Sequence, residues 1–111
     1  MKINKELMKG STVILILSML DRADMYGYEM TKEIEKSSAN VFTLKEGTLY
    51  PILHTLEVEA MVESYWNEQG GRKRKYYRIT ESGRQQLQEK RKEWTLFRNT
   101  VDRVIGGARY E

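Results

Sequence analysis

Two groups of residues in this 111-residue chain have types and spacings that could do chemistry. The first is cationic: Arg72, Lys73, Arg74, Lys75 and Arg78 put five basic side chains into seven positions directly behind a Gly-Gly pair, in "GGRKRKYYR". Guanidinium and ammonium groups at that density bind phosphates, and the glycines let backbone come close to a ligand. The second is nearly uncharged: Lys45, Thr48, Tyr50 and His54, in "LKEGTLYPILHTLE", offer short hydrogen-bonding groups suited to base edges and phosphate oxygens. The plainer alternatives are a solvated charged loop for the first group and an ordinary capped helix start for the second. Catalytic and metal chemistries are poorly supplied. His54 is the single histidine, its neighbours Leu53 and Thr55 provide no carboxylate to orient it, and the chain has no cysteine. No metal-loop spacing of carboxylates is present either, so neither an enzyme nor a metal or other cofactor is expected. Lys and Arg total 19 against 16 Asp and Glu, so the net charge of +3 is a weak pointer to a polyanion, and placement must decide.

Such residues act only if the chain holds them in place. Residues 5–20, "KELMKGSTVILILSML", are apolar on nearly every side after Ser11, which predicts a helix buried between layers; a buried strand over "TVILIL" is the rival. The run is too short to span a bilayer and lacks a small-residue cleavage site downstream, so a soluble cytoplasmic protein without membrane partners is expected. After a turn at 21–25, Met30 and Ile34 fall one turn apart in a short helix over 26–38, followed by turn residues in "SSAN". "TLKE", residues 43–46, matches a capping box and predicts a third helix beginning near Thr43. Its inner face carries Leu49, Ile52, Leu53, Leu56 and Ala60, and its outer face Gly47, Tyr50, Pro51, His54, Thr55 and Val58. Pro51 in its middle implies either a bend, tolerated because Gly47 four residues back has no Cβ, or a helix that starts near Tyr50 with proline at its first position.

Alternation in "VESYW" puts Val62, Ser64 and Trp66 on one side, and a second strand in "YYRIT" completes a hairpin around a loop, "NEQGGRKRK". Thr80 then caps a long helix ending near Gly106 and Gly107. In it Leu87, Trp94, Phe97, Val101, Val104 and Ala108 keep a heptad spacing, interrupted by Lys90. A lone helix cannot bury that seam, and a second copy of the chain is the simplest partner. The predicted fold is mainly α with a two-stranded β-hairpin: a winged helix-turn-helix over residues 1–80, a dimerisation helix over 81–108 and a tail at 109–111. In that architecture the third helix enters the major groove and the hairpin reaches the neighbouring backbone, which implies double-stranded DNA as partner. A winged-helix module that binds an acidic protein instead is the alternative.

"YGYEMTKEI", "EGTLYPILHTLE" with "VEAMVESYW", and "GGRKRKYYRITESG", in that order and spacing, resemble the signature blocks of the PadR-like transcriptional regulators. The resemblance runs from about Leu7 to Trp94, and the short tail is similar to the small subfamily that includes multidrug-sensing repressors. It implies a homodimeric repressor on a pseudo-palindromic operator. It also implies that Trp94 lines a pore at the dimer centre where flat aromatic drugs stack; Phe97, Met8 and Leu15 would be its neighbours if the first helix of the partner packs against this one. By itself a tryptophan at that heptad position reads as seam packing.

Overall fold

The computed structural model describes residues 3–106. Its elements, in chain order, are helices α1 (Lys5–Lys9) and α2 (Thr12–Arg22), strand β1 (Met25–Tyr26), helices α3 (Gly27–Ser37) and α4 (Glu46–Val58), strands β2 (Val62–Gln69) and β3 (Arg72–Ile79), and helix α5 (Glu81–Val104). This is the winged helix-turn-helix with a long C-terminal helix that the sequence predicts.

The core is the inward side of every element. Ile16, Leu17, Met19 and Leu20 of α2, Met30 and Ile34 of α3, and Leu49, Leu53 and Leu56 of α4 are buried. Val62, Tyr77 and Ile79 of the sheet and Leu87 of α5 close it. α5 continues past this core for four more turns, and the molecule measures 56 × 32 × 21 Å.

Four expectations need correction. The first helix is two: the Ser11 and Thr12 hydroxyls donate to the Met8 carbonyl (3.0 and 3.2 Å), and with Gly10 they break the run between α1 and α2. The hairpin gains a third strand, since β1 pairs antiparallel with β3 (Met25↔Tyr77, Tyr26↔Tyr76) where a turn was expected, giving the order β1-β3-β2. The capping box at 43–46 does not start α4. Leu44 is buried in the core, so the chain stays extended until Lys45, and the helix opens at Glu46 with Pro51 as its sixth residue. Ala60, placed on the inner helical face, lies beyond α4 and is exposed.

Ala60 ends α4 instead. At φ +62° it occupies the left-handed position of a Schellman cap, in which Met61 N–H donates to the Leu56 carbonyl (2.9 Å) and Ala60 N–H to the Glu57 carbonyl (3.0 Å). α3 ends the same way on Ala39, at φ +51°, with Asn40 N–H on the Glu35 carbonyl at 2.8 Å. Alanine stands in both places where glycine is free of Cβ strain. Ala39→Gly and Ala60→Gly are each expected to stabilise the fold by about 0.5–1 kcal/mol, the strain relief less glycine's entropic cost. Urea midpoints that fall instead would contradict this account of the two caps.

Candidate nucleic-acid interface

α4 supplies the first surface. Packing of Leu49, Leu53 and Leu56 inward turns Gly47, Thr48, Tyr50, Pro51, His54, Thr55 and Val58 outward, together with Lys45 at the cap position. The helix is continuous through Pro51, which rules out a start at Tyr50. Because proline has no N–H, the Gly47 carbonyl receives no ladder bond from it, and Gly47 is exposed. The four predicted residues of this surface, Lys45, Thr48, Tyr50 and His54, are thus all on the outer side.

Tyr50 is less free than the others. A Cβ on Gly27, the buried first residue of α3, would overlap the Tyr50 hydroxyl and lie 2.7 Å from its Cζ, so the ring rests directly on the Gly27 backbone. The hydroxyl points along its own helix to Glu46 Oε1, 3.5 Å away. Burial, then the Glu46 carboxylate, raises the phenol above its ordinary pKa. Burial likewise raises Tyr77 on β3, with smaller contributions from Glu57 and Tyr50.

β2 and β3 supply the second surface. The two strands run in register from Val62↔Ile79 to Gln69↔Arg72, joined by Gly70 and Gly71 alone, at φ +60° and +74°. Two successive left-handed residues make the tight turn whose twist matches a hairpin, which is why both are glycine. The basic run is therefore not in a loop, as expected, but in β3. The strand's alternation splits it: Lys73 and Lys75 share a face with Tyr77 and Ile79, while Arg72, Arg74 and Arg78 lie on the other.

The two faces differ in use. Arg74 stacks 4.6 Å from the Tyr26 ring centroid, and Arg78 stacks 4.8 Å from that of Tyr65 while bonding Glu63 at 3.0 Å. Tyr26, Tyr65 and Tyr76 form a continuous ring cluster there, and the Tyr65 hydroxyl donates to Asp24 at 2.6 Å, a bond that raises its pKa. These bonds tie the base of the wing to β1. On the opposite face Ser64 Oγ donates to Glu57 of α4 at 2.6 Å, so this is the face turned to α4. Farther out on it, Trp66 pairs with Lys75 and is 62% exposed. Charge reasoning missed Trp66. Alternation placed it beside core residues, and only the length of the hairpin beyond the core reveals its exposure.

A third surface lies on α5. Trp94, Phe97, Val101 and Val104 are exposed along one side, with the Trp94 and Phe97 rings stacked at 5.9 Å. Leu87, expected in the same seam, is fully buried in its own chain's core. Of the proposed neighbours of Trp94, Met8 is nearly buried and Leu15 half-buried. The helix ends at Val104 with Gly106 left-handed (φ +77°); Gly107, Ala108 and the tail at 109–111 lie outside the described residues. Among the described residues no three His, Asp or Glu side chains are grouped to hold a metal, and no helix is long and apolar enough to cross a membrane.

Comparison with known proteins agrees with this geometry. Residues 16–89 match the model of the transcriptional regulator PadR-like family. A transcriptional regulator from Clostridium thermocellum is 34% identical and superposes with a TM-score of 0.84, covering 91% of this chain and 96% of the other. A PadR family transcriptional regulator from Eggerthella lenta is 33% identical, with a TM-score of 0.80 over 90% and 86% of the two chains. Transcriptional regulator YqjI of Escherichia coli is 32% identical over 89% of this chain, which spans about half (47%) of that longer protein.

Proposed function

This chain belongs to the PadR-like family of transcriptional regulators, and from that premise we propose that it works as a homodimeric repressor on a pseudo-palindromic operator. A regulator of this family is a DNA-binding protein rather than an enzyme. Two α4 helices, one per copy, would enter successive major grooves about 34 Å apart, with Lys45, Thr48, Tyr50 and His54 toward the DNA. Both wings would hold flanking phosphates through Arg72, Lys73, Arg74 and Lys75. One observation supports this reading: the wing face bearing Lys73 and Lys75 is the one bonded to α4 through Ser64 and Glu57, so helix and these two cations would face a single duplex. A regulator of this kind would work in the cytoplasm, beside the DNA.

We further infer a small aromatic effector at the seam between the copies. It would stack on Trp94 and Phe97, with Met8 and Leu15 of the N-terminal helices beside it, and change the spacing of the two recognition helices by a rigid-body shift. Flat cationic drugs and phenolic acids titrated against an operator complex should release the DNA and quench tryptophan emission. Absence of both effects across the set would remove the effector from this account.

Selection of bound duplexes from a random pool tests the main reading, and an inverted repeat with half-sites about one turn apart is the expected product. Replacing Arg72, Lys73 and Lys75 by alanine should lower affinity for all sequences and reduce the log-log salt slope by about 0.9 for every phosphate no longer neutralised. Arg74→Ala alone should reduce it less, because its guanidinium is engaged with Tyr26. A slope that ignores the triple substitution would make the basic strand a solvated edge.

A further inference from the structure

We propose that Tyr50 and Gly27 form a key and notch that fixes the angle between the recognition helix and the wing, so that Tyr50 is a positioning residue rather than a reader of bases. The inference rests on the DNA-binding reading above and gives one of its residues a different task. Tyr50 is in the second turn of α4, and its ring lies on the backbone of Gly27, close enough that any Cβ at Gly27 would overlap the hydroxyl and stand 3.2 Å from Cε1 as well. Gly27 is buried, with a negative φ typical of a helix start, so its lack of a side chain serves the close approach and not a backbone conformation.

The notch is attached directly to the wing. Gly27 follows β1 without a break, and β1 is paired with β3 at Met25↔Tyr77 and Tyr26↔Tyr76. From there the Tyr26–Tyr76–Tyr65 rings and the Tyr65–Asp24 bond lock β1 to both strands of the hairpin. α4 is thereby held to the wing at two separated points. Near its C-terminal end the tie is the Glu57–Ser64 bond, and near its N-terminal end it is Tyr50 in the Gly27 notch. Together with the buried Leu49, Leu53 and Leu56, these two ties fix the tilt of α4 relative to the wing. The wing can reach its phosphates while α4 sits in the groove only at that angle.

Gly27→Ala tests this, because it removes no charge and no DNA-facing group. The ring must leave the notch, so operator affinity should fall about tenfold or more, a size typical of directly touching residues. The salt slope should fall as well, by about 0.9 for each phosphate that the wing can no longer reach. Removing a base-reading group would leave that slope unchanged, and a smaller folded fraction lowers affinity without altering it. Tyr50→Leu should reduce affinity and slope in the same way. In that background, where the shorter side chain leaves room for a methyl, adding Gly27→Ala should cost less than about threefold. Should Gly27→Ala fail to fold, the slope of Tyr50→Leu decides. A wild-type slope in the folded variants, or an equal cost of Gly27→Ala in both backgrounds, overturns the key and notch while the regulator reading stands. Failure of the unaltered protein to bind duplex DNA would overturn both.

Discussion

Phe97→Glu combined with Val101→Glu is expected to turn the protein into a monomer and to lower its affinity for an inverted-repeat operator by at least about a hundredfold, since the second half-site loses its tether. Trp94, Phe97, Val101 and Val104 succeed one another at spacings of three, four and three, so they form one stripe about 15 Å long on α5. On a single chain that stripe is bare, with Phe97 59% and Val104 79% exposed. Large apolar side chains gathered at heptad spacing gain about 1.5–3 kcal/mol each when fully buried, and the homodimer proposed above would bury them against a second copy. Carboxylates at two seam positions reverse that gain, because two pairs of like charges would face each other out of water. Neither residue touches the body's core, which ends at Leu87, so the winged domain itself should stay folded, with its melting temperature lowered only by the stabilisation that association had supplied. Sedimentation at micromolar concentration and gel shifts on whole and half operators check both parts. A double variant that sediments as a dimer would show that the copies meet elsewhere, and one that is monomeric yet binds the full operator normally would remove the need for a dimer.

How much of this was legible in the sequence depended on the range of the forces involved. Leu49, Leu53 and Leu56 on the inner face of α4 and Tyr50, Pro51 and His54 on its outer face followed from helical periodicity, and the packed structure keeps them there, while Ala60 falls outside the helix. A hairpin around Gly70-Gly71 was legible, but the sequence reading gave it the loop "NEQGGRKRK" where the strands pair on to Gln69↔Arg72 and two left-handed glycines alone make the turn. The start of α4 was not. Thr43 to Glu46 satisfies a local capping pattern, but burying Leu44 requires an extended chain there, and the tertiary demand outweighs a cap worth about 1 kcal/mol. The placement of the cations was legible in amount and not in direction. Arg74 turns toward Tyr26 because of β1, a strand of two residues whose only signal is its pairing with β3. Leu87 and Trp94 obey the same heptad, and no spacing distinguishes a residue that faces its own core from one that awaits a partner. The approach of Tyr50 to Gly27 joins residues of separate helices, and a lone glycine at a helix start gives no sign of its neighbour.

Gly83→Ala is expected to destabilise the fold by about 2–4 kcal/mol, the range of a core clash that backbone must move to relieve. Helix propensity alone gives the opposite sign. Gly83 is the third residue of α5, and alanine in a helix is favoured over glycine by about 1 kcal/mol. What opposes it is the way α5 is joined to the body. Thr80 N–H donates to the Met61 carbonyl at 3.0 Å, the Thr80 hydroxyl donates to the Ala60 carbonyl at 2.6 Å, and that same hydroxyl accepts the Gly83 N–H at 2.9 Å. These bonds bring the first turn of α5 onto the turn after α4, so a Cβ on Gly83 would overlap the Met61 carbonyl oxygen and stand 2.8 Å from Ile79 Cγ1. A flexible side chain could step aside, whereas the Met61 carbonyl is held by Thr80 and follows a Schellman cap. Relief therefore requires α5 to lift away, which also strains the Arg84–Asp21 pair at 3.3 Å between α5 and α2. Ser82→Ala, one residue earlier and exposed, is the control and should be neutral or slightly stabilising. Urea unfolding of both variants at one protein concentration separates the two effects, since any association would otherwise shift the midpoints. A Gly83→Ala midpoint at or above that of the unaltered protein would mean that propensity wins and that the junction between wing and α5 is loose.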